Sequence, residues 1–326
     1  MRITVIGCGA WGTALADLLC QNKHAVTLWG HDAAHLRAVQ QAGCNQIYLP
    51  GISLARNLKF EPDLVRAVAG SRCIVLALPS RFFREVTGRV PDFDGIAVSV
   101  TKGIEFETGL TMSGILRETM PRASGVALSG PTLAMEVARE MPAASVAAHA
   151  DAAIAREVQQ LFHRPSFRVY TSNDVPGVEL GGALKNVVAI AAGICDGIGC
   201  GDNAKAALIT RAIAEIRRLG VKCGAAPETF SGLSGLGDLT LTCFSKLSRN
   251  RQFGERIGRG ENVDAILTGA VTVAEGYPTA RAAHKLARKW QIETPITDEV
   301  HAVLYQQKNV RQAARDLMDR DPKQED

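Results

Sequence analysis

Short apolar, β-branched runs alternate through the first half of the chain with stretches whose apolar positions recur every three to four residues. The runs Ile3–Ile6, Ala25–Trp29, Cys73–Leu78, Ala97–Val100, Val126–Leu128, Ala144–Ala148 and Arg168–Tyr170 predict strands. Between several of them, Thr13–Gln21, Ala33–Gln41, Arg81–Val86 and Ala152–Phe162 predict amphipathic helices. Strands that are apolar throughout are buried on both faces, and their alternation with helices predicts an α/β domain built on a doubly wound parallel sheet. From about Pro176 the strand pattern fades. Helices are expected over Glu179–Ile194, Ala204–Leu219, Arg249–Ile257, Val263–Leu267, Thr279–Trp290 and Ile296–Gln307, with Asn262 as the N-cap of the fourth. The change in period places a domain boundary near residue 175, dividing 1–175 from an all-helical 176–326.

Charge and cysteine content narrow the classes of function. A net charge of +4 is mild, and the densest basic stretch, Arg281, Lys285, Arg288 and Lys289, reads as the solvated side of one helix. A nucleic-acid partner is therefore not expected. The eight cysteines form no Cys-x-x-Cys pair, so free thiols in a reducing cytoplasm are expected, with no metal site. The start of the chain loosely imitates a secretion signal, but Gly7, Gly9, Gly12 and Asp17 interrupt it and suit a strand, a turn and a helix. The apolar run Val187–Cys195 is too short to cross a bilayer.

Gly7-Cys8-Gly9-Ala10-Trp11-Gly12 follows the first strand and opens the first helix. In that setting Gly7 permits the tight turn, Gly9 lets backbone approach a pyrophosphate, and Gly12 lets helix and strand pack closely. This makes the first domain a Rossmann-type dinucleotide-binding domain. The second strand ends in Trp29-Gly30-His31-Asp32, where a ribose-binding acid is usual. NAD and NADP both stay open, with His31 a candidate ribose or phosphate contact. Ligands in such sheets bind beyond the carboxyl ends of the strands, which is where Lys102, Gly130 and Thr132 fall.

Lys185 and Asn186 sit in an apolar helix just after Gly181 and Gly182. Paired glycines weaken a helix by about 1 kcal/mol each relative to alanine. Either a ligand or a close helix crossing would account for them. Reduction of a ketone needs a proton donor at the oxygen, and a desolvated lysine fits that role, so Lys185 is the candidate acid and base. Ser231–Asp238 reads as a second glycine-rich turn, whose Asp238 could bind a substrate hydroxyl, hold Lys185 or serve the turn alone. Ser248 is a candidate N-cap before Arg249 and Asn250, a helix start suited to a phosphate monoester.

Taken in order, these motifs, with Leu184-Lys185-Asn186, Gly237-Asp238-Leu239-Thr240, Ser248-Arg249-Asn250 and Glu275-Gly276, resemble the bacterial NAD(P)-dependent glycerol-3-phosphate dehydrogenases over nearly the whole chain. The resemblance implies interconversion of sn-glycerol 3-phosphate and dihydroxyacetone phosphate for glycerophospholipid synthesis, by a cytoplasmic enzyme that is a homodimer. It also implies that Lys185 exchanges the proton. Trp11, His31, Ala134, Val273 and Glu275 would contact the dinucleotide beside the glycine motif, and Lys102 and Arg249 would touch both ligands. Gly130, Thr132, Asp238, Ser248 and Asn250 would complete the substrate pocket. Ketopantoate reductases and hydroxyacid dehydrogenases pair similar domains, but the Lys-Asn and Ser-Arg-Asn combination suits a phosphorylated substrate.

Overall fold

Along the central strands of the first unit, successive side chains enter two different cores. Ile3, Val5, Val75 and Val98 pack with Leu15, Leu19, Val158 and Phe162 on one face. Ile6, Ile74, Leu76 and Ala97 pack with Phe83, Ile115 and Leu116 on the other. Each buried side chain of this size contributes about 1.5–3 kcal/mol, so a strand apolar on both faces is most stable between two helical layers. The computed structural model describes residues 1–269, 274–322 and 324–325.

Eight strands follow one another: β1 (Arg2–Ile6), β2 (Ala25–Trp29), β3 (Lys59–Phe60), β4 (Cys73–Leu76), β5 (Ile96–Ser99), β6 (Ser124–Ser129), β7 (Ala143–Ala148) and β8 (Phe167–Ser172). They form one sheet in the order β3-β2-β1-β4-β5-β6-β7-β8. The first six run parallel, in the 3-2-1-4-5-6 order of dinucleotide-binding sheets. The expected all-parallel sheet is broken at β7, which runs antiparallel to β6 and parallel to β8. The link from β6 to β7 holds only the five-residue helix Ala134–Ala138 and turns the chain back on itself. A parallel crossover needs a longer link, and the eleven-residue helix Ala152–Phe162 supplies one between β7 and β8.

The chain divides into two units, Met1–Lys102 with Leu110–Glu179, and Gly103–Gly109 with Leu180–Asp326. The second unit is helical. Its central element is the helix Val175–Ile198, whose first turn belongs to the first unit. By length and composition this helix could cross a membrane, unlike the nine-residue apolar run read from sequence, but 89% of its most apolar window is buried inside the protein. It is a core helix. Leu180, Leu184 and Val188 pack with Ile209, Ile216 and Leu239, while Val187, Ile190 and Ile194 pack with Phe253, Ile257 and Val300.

Glycines let backbones meet on this helix. A Cβ at Gly193 would lie 2.0 Å from the Arg251 carbonyl oxygen, and one at Gly254 would lie 2.1 Å from that of Ile190. The helix Arg249–Gly258 therefore lies directly against it. Elsewhere a buried carboxylate organises the packing. Glu215, on the helix Gly201–Lys222, accepts from the Ile296 and Thr297 amides at 2.9 Å each and from the Thr297 hydroxyl at 2.6 Å. Those amides begin the helix Pro295–Tyr305 and have no acceptor within it. Burial pushes the Glu215 carboxyl pKa up, and the three hydrogen bonds pull it part of the way back.

Removing that acceptor with Glu215→Ala strands buried donors, and the expected loss is about 2–4 kcal/mol of folding free energy. Urea denaturation checks this. A midpoint equal to the parent's would show that the carboxylate does not hold the helix start.

Candidate active site

The glycine motif folds as backbone sterics require. Gly7 leaves β1 at φ +124°, donates its N–H to the Trp29 carbonyl at 2.9 Å, and has the Ala77 carbonyl oxygen 2.2 Å from where a Cβ would sit. Gly12 lies in the first turn of the helix Ala10–Gln21, with the Gly7 carbonyl oxygen 1.9 Å from its own missing Cβ. Any side chain at either position collides with backbone. Gly9 differs: a Cβ there would meet nothing within 4 Å, and no side chain caps the helix it precedes. Open space before an uncapped helix start is a cradle for an anion such as a pyrophosphate.

Asn45, fully buried, holds this loop from outside the motif. Its side-chain amide donates to the Cys8 carbonyl at 3.0 Å and to the Thr13 hydroxyl at 2.9 Å, while its Oδ1 accepts from the Tyr48 amide at 3.3 Å. Burial pushes the Cys8 thiol pKa up to about 11, which disfavours the reactive thiolate.

At the end of β2, His31 is exposed and Asp32 caps the helix Ala33–Ala42. One Asp32 oxygen accepts from the Ala34 and His35 amides at 2.9 and 3.0 Å. The His35 amide first, and then that of Ala34, hold its pKa below the usual carboxylate range. Trp11 is half-buried, its ring 6.5 Å from that of Phe167.

Beyond β5 and β6, three expected residues come together on one carbonyl. Gly130 accepts from Lys102 Nζ at 3.0 Å and from the Thr132 hydroxyl at 3.3 Å. Gly130 has φ +157°, and a Cβ on it would press to 2.8 Å from the Ser145 Cα. Ala134 opens the short helix that follows.

In the second unit Lys185 is 6% exposed, and its ammonium donates to Asp238 Oδ1 at 2.6 Å and to the Thr242 hydroxyl oxygen at 2.5 Å. The Thr242 hydroxyl in turn donates to the Asp238 backbone carbonyl at 2.6 Å. Asp238 is fully buried. The expected turn at Ser231–Asp238 is helical instead: a π-type turn Leu233–Gly237 leads straight into the helix Asp238–Phe244. Asp238 and Thr242 are thus one helical turn apart and share a face. Thr242 was outside every motif, and an i, i+4 pattern would have exposed it only if this segment had been read as helix. Gly181 admits close packing, since a Cβ on it would lie 2.6 Å from the Ser234 carbonyl oxygen. Of the two explanations for the glycine pair, helix–turn contact holds at that position.

Asn186 joins a different network. Its Oδ1 accepts from Asn250 Nδ2 at 2.9 Å, and Asn250 Oδ1 accepts from the Gly276 amide at 2.8 Å. Ser248 caps the helix Arg249–Gly258 through the Arg251 amide at 3.2 Å, as the sequence predicts. Arg249 keeps solvent exposure; desolvation lowers its guanidinium pKa, and the Glu275 carboxylate opposes that fall. Val273 lies outside the described residues.

Comparison with known proteins follows the same division. Residues 2–155 match the family described as NAD-dependent glycerol-3-phosphate dehydrogenase N-terminus, and residues 174–315 match its C-terminus. A glycerol-3-phosphate dehydrogenase [NAD(P)+] of Syntrophotalea carbinolica is 47% identical, the alignment covering 100% of this chain and 99% of that protein. One from Geobacter sulfurreducens is 48% identical, covering 99% and 98%. Among solved structures, the glycerol-3-phosphate dehydrogenase from Coxiella burnetii superposes with a TM-score of 0.94 at 36% identity, covering 98% of this chain and 99% of that one.

Asn45→Ala removes two donors from the glycine loop while leaving the loop's own residues intact. We expect NADH to bind about tenfold more weakly, equivalent to about 1.4 kcal/mol. Titration by nicotinamide fluorescence measures this, and parental affinity in the variant would remove Asn45 from the site.

Proposed function

The chain belongs to the NAD-dependent glycerol-3-phosphate dehydrogenase family, and we propose that Lys185 is the residue that exchanges a proton with the substrate oxygen. It is an NAD(P)-dependent enzyme that interconverts sn-glycerol 3-phosphate and dihydroxyacetone phosphate. The observation that carries the role of Lys185 is its burial against Asp238 and Thr242 on a largely apolar helix. An ammonium in such surroundings is costly unless paired, and these partners hold it in one place.

On this reading residues 1–175 bind the dinucleotide and 176–326 bind the substrate and carry the proton chemistry. The open face of Gly9 and the uncapped helix start fit a pyrophosphate. Gly7 and Gly12 shape that cradle, with Trp11, His31, Lys102, Ala134, Arg249, Val273 and Glu275 as further contacts to the cofactor. When bound, the dihydronicotinamide supplies the hydride.

The chain's own residues do the rest. Ser248, Arg249 and Asn250 bind the phosphate, combining a guanidinium with a helix start. Lys102, Gly130 and Thr132 are further substrate contacts that the family resemblance implies. As the carbonyl carbon gains the hydride, Lys185 Nζ delivers a proton to the oxygen, and Asp238 steadies the lysine in both protonation states. Oxidation of the alcohol runs the same transfer backwards. We further propose a cytoplasmic homodimer, as the family resemblance implies.

Two measurements test the reading. Purified protein should oxidise NADH or NADPH with dihydroxyacetone phosphate and leave ketopantoate untouched; turnover of ketopantoate alone would replace the proposed substrate. Lys185→Ala should lower kcat by about 10²–10⁴-fold, while dinucleotide still binds. Near-parental turnover in that variant would end the assignment of the proton donor.

A further inference from the structure

A second ion cluster, partly buried, lies near the far end of the helix that carries Lys185. Asp196, in its last turn, meets Lys205 Nζ from the helix Gly201–Lys222 through one oxygen. Its other oxygen lies 2.6 Å from the Arg251 guanidinium on the helix Arg249–Gly258. The side chains of Lys205 and Arg251 are only 7% and 11% exposed. One carboxylate therefore joins three helices. None of these residues belongs to the proposed proton-transfer or substrate-binding set.

From this arrangement we infer that Asp196 is a positioning residue, which sets where the phosphate-binding helix Arg249–Gly258 stands along the helix Val175–Ile198. The inference rests on the functional reading above. The two helices meet through glycines: Gly193 under the Arg251 carbonyl, Gly197 under that of Glu255, Gly254 against Ile190 and Gly258 against Ile194. Bare backbone lets helices approach, but it offers few side-chain ridges to fix one helix lengthwise on the other. Polar contacts mark the register instead. The Asn186–Asn250 hydrogen bond is one such contact and the Asp196–Arg251 pair another, both made from the start of the helix Arg249–Gly258. The marks are about 15 Å apart along the central helix. Buried polar pairs are best attested in this registry role. Arg251 is the immediate neighbour of Asn250 and two residues from Arg249. Loosening its anchor displaces both from the phosphate while leaving Lys185, Asp238 and Thr242 in place.

The test is steady-state kinetics of Asp196→Asn, Lys205→Met and Lys205→Arg beside the parent, with thermal unfolding of each. Asp196→Asn should raise KM for dihydroxyacetone phosphate by about tenfold, with kcat and the KM for the dinucleotide within about twofold, the pattern of lost substrate binding without lost chemistry. Lys205→Met should shift the same KM in the same direction by a smaller factor, and it serves if Asp196→Asn fails to fold. Lys205→Arg, which keeps the cation, should restore the parental value. If Tm falls while KM for dihydroxyacetone phosphate stays at the parental value, or if both KM values rise together, Asp196 is merely structural and the inference is overturned. A parent protein that does not reduce dihydroxyacetone phosphate would instead overturn the functional reading, and the inference with it.

Discussion

An ammonium group buried on an apolar helix needs partners, and much of the second unit is arranged to bring them. Lys185 lies among Leu184, Val187 and Val188, each almost wholly buried. In such a medium an unpaired cation is strongly unfavourable, and its interaction with a carboxylate is correspondingly strong. Asp238 can reach the ammonium because the Leu233–Gly237 turn comes within van der Waals range of Gly181. A side chain at Gly181 would push that turn away and break the pair. Gly181, which looks wasteful in a helix, is thus what lets the ion pair form. Close backbone approach, burial of the lysine and its pairing with Asp238 are consequences of the same packing.

The first unit uses glycine for two different ends. Gly7, Gly12 and Gly130 are forced by collisions inside the protein, because each would drive a Cβ into neighbouring backbone. Gly9 is not forced in that way, and the space before it is what a ligand can occupy. Separating these cases turns a repeated residue type into a distinction between scaffold and site. Asn45 adds the support that keeps the open glycine where it is. The Gly130 carbonyl does similar work at the ends of β5 and β6, gathering Lys102 and Thr132 onto a single acceptor.

Much of the fold was legible because it depends on local period. The strand Ala25–Trp29 and the helix Ala152–Phe162 have the limits that their apolar patterns predict. The N-caps Ser248 and Asn262 are where they were expected. Beside the helices Met112–Thr119 and Val310–Met318, of eight and nine residues, the elements missed are short: β3 has two residues, and the helices Leu64–Val68 and Ala134–Ala138 have five each. Neither length completes enough turns or alternations to show a period. The Ser231–Asp238 segment was misread for a different reason. Its glycines favour a loop by propensity, but packing against the central helix and Phe230 winds it into a helical turn.

By itself, the sequence determined the change from alternating strands to helices near residue 175, the glycine turn after β1 and the place of Lys185 in a largely apolar helix, since each rests on spacing along the chain. The tertiary structure alone decided which partners those residues have. Asn45 reaches the cradle from 37 residues away, Asp238 reaches Lys185 across 53, and Asn186 turns to Asn250 rather than to its neighbour. Such pairings follow from how helices pack in three dimensions, and no local pattern of apolar and polar residues encodes them.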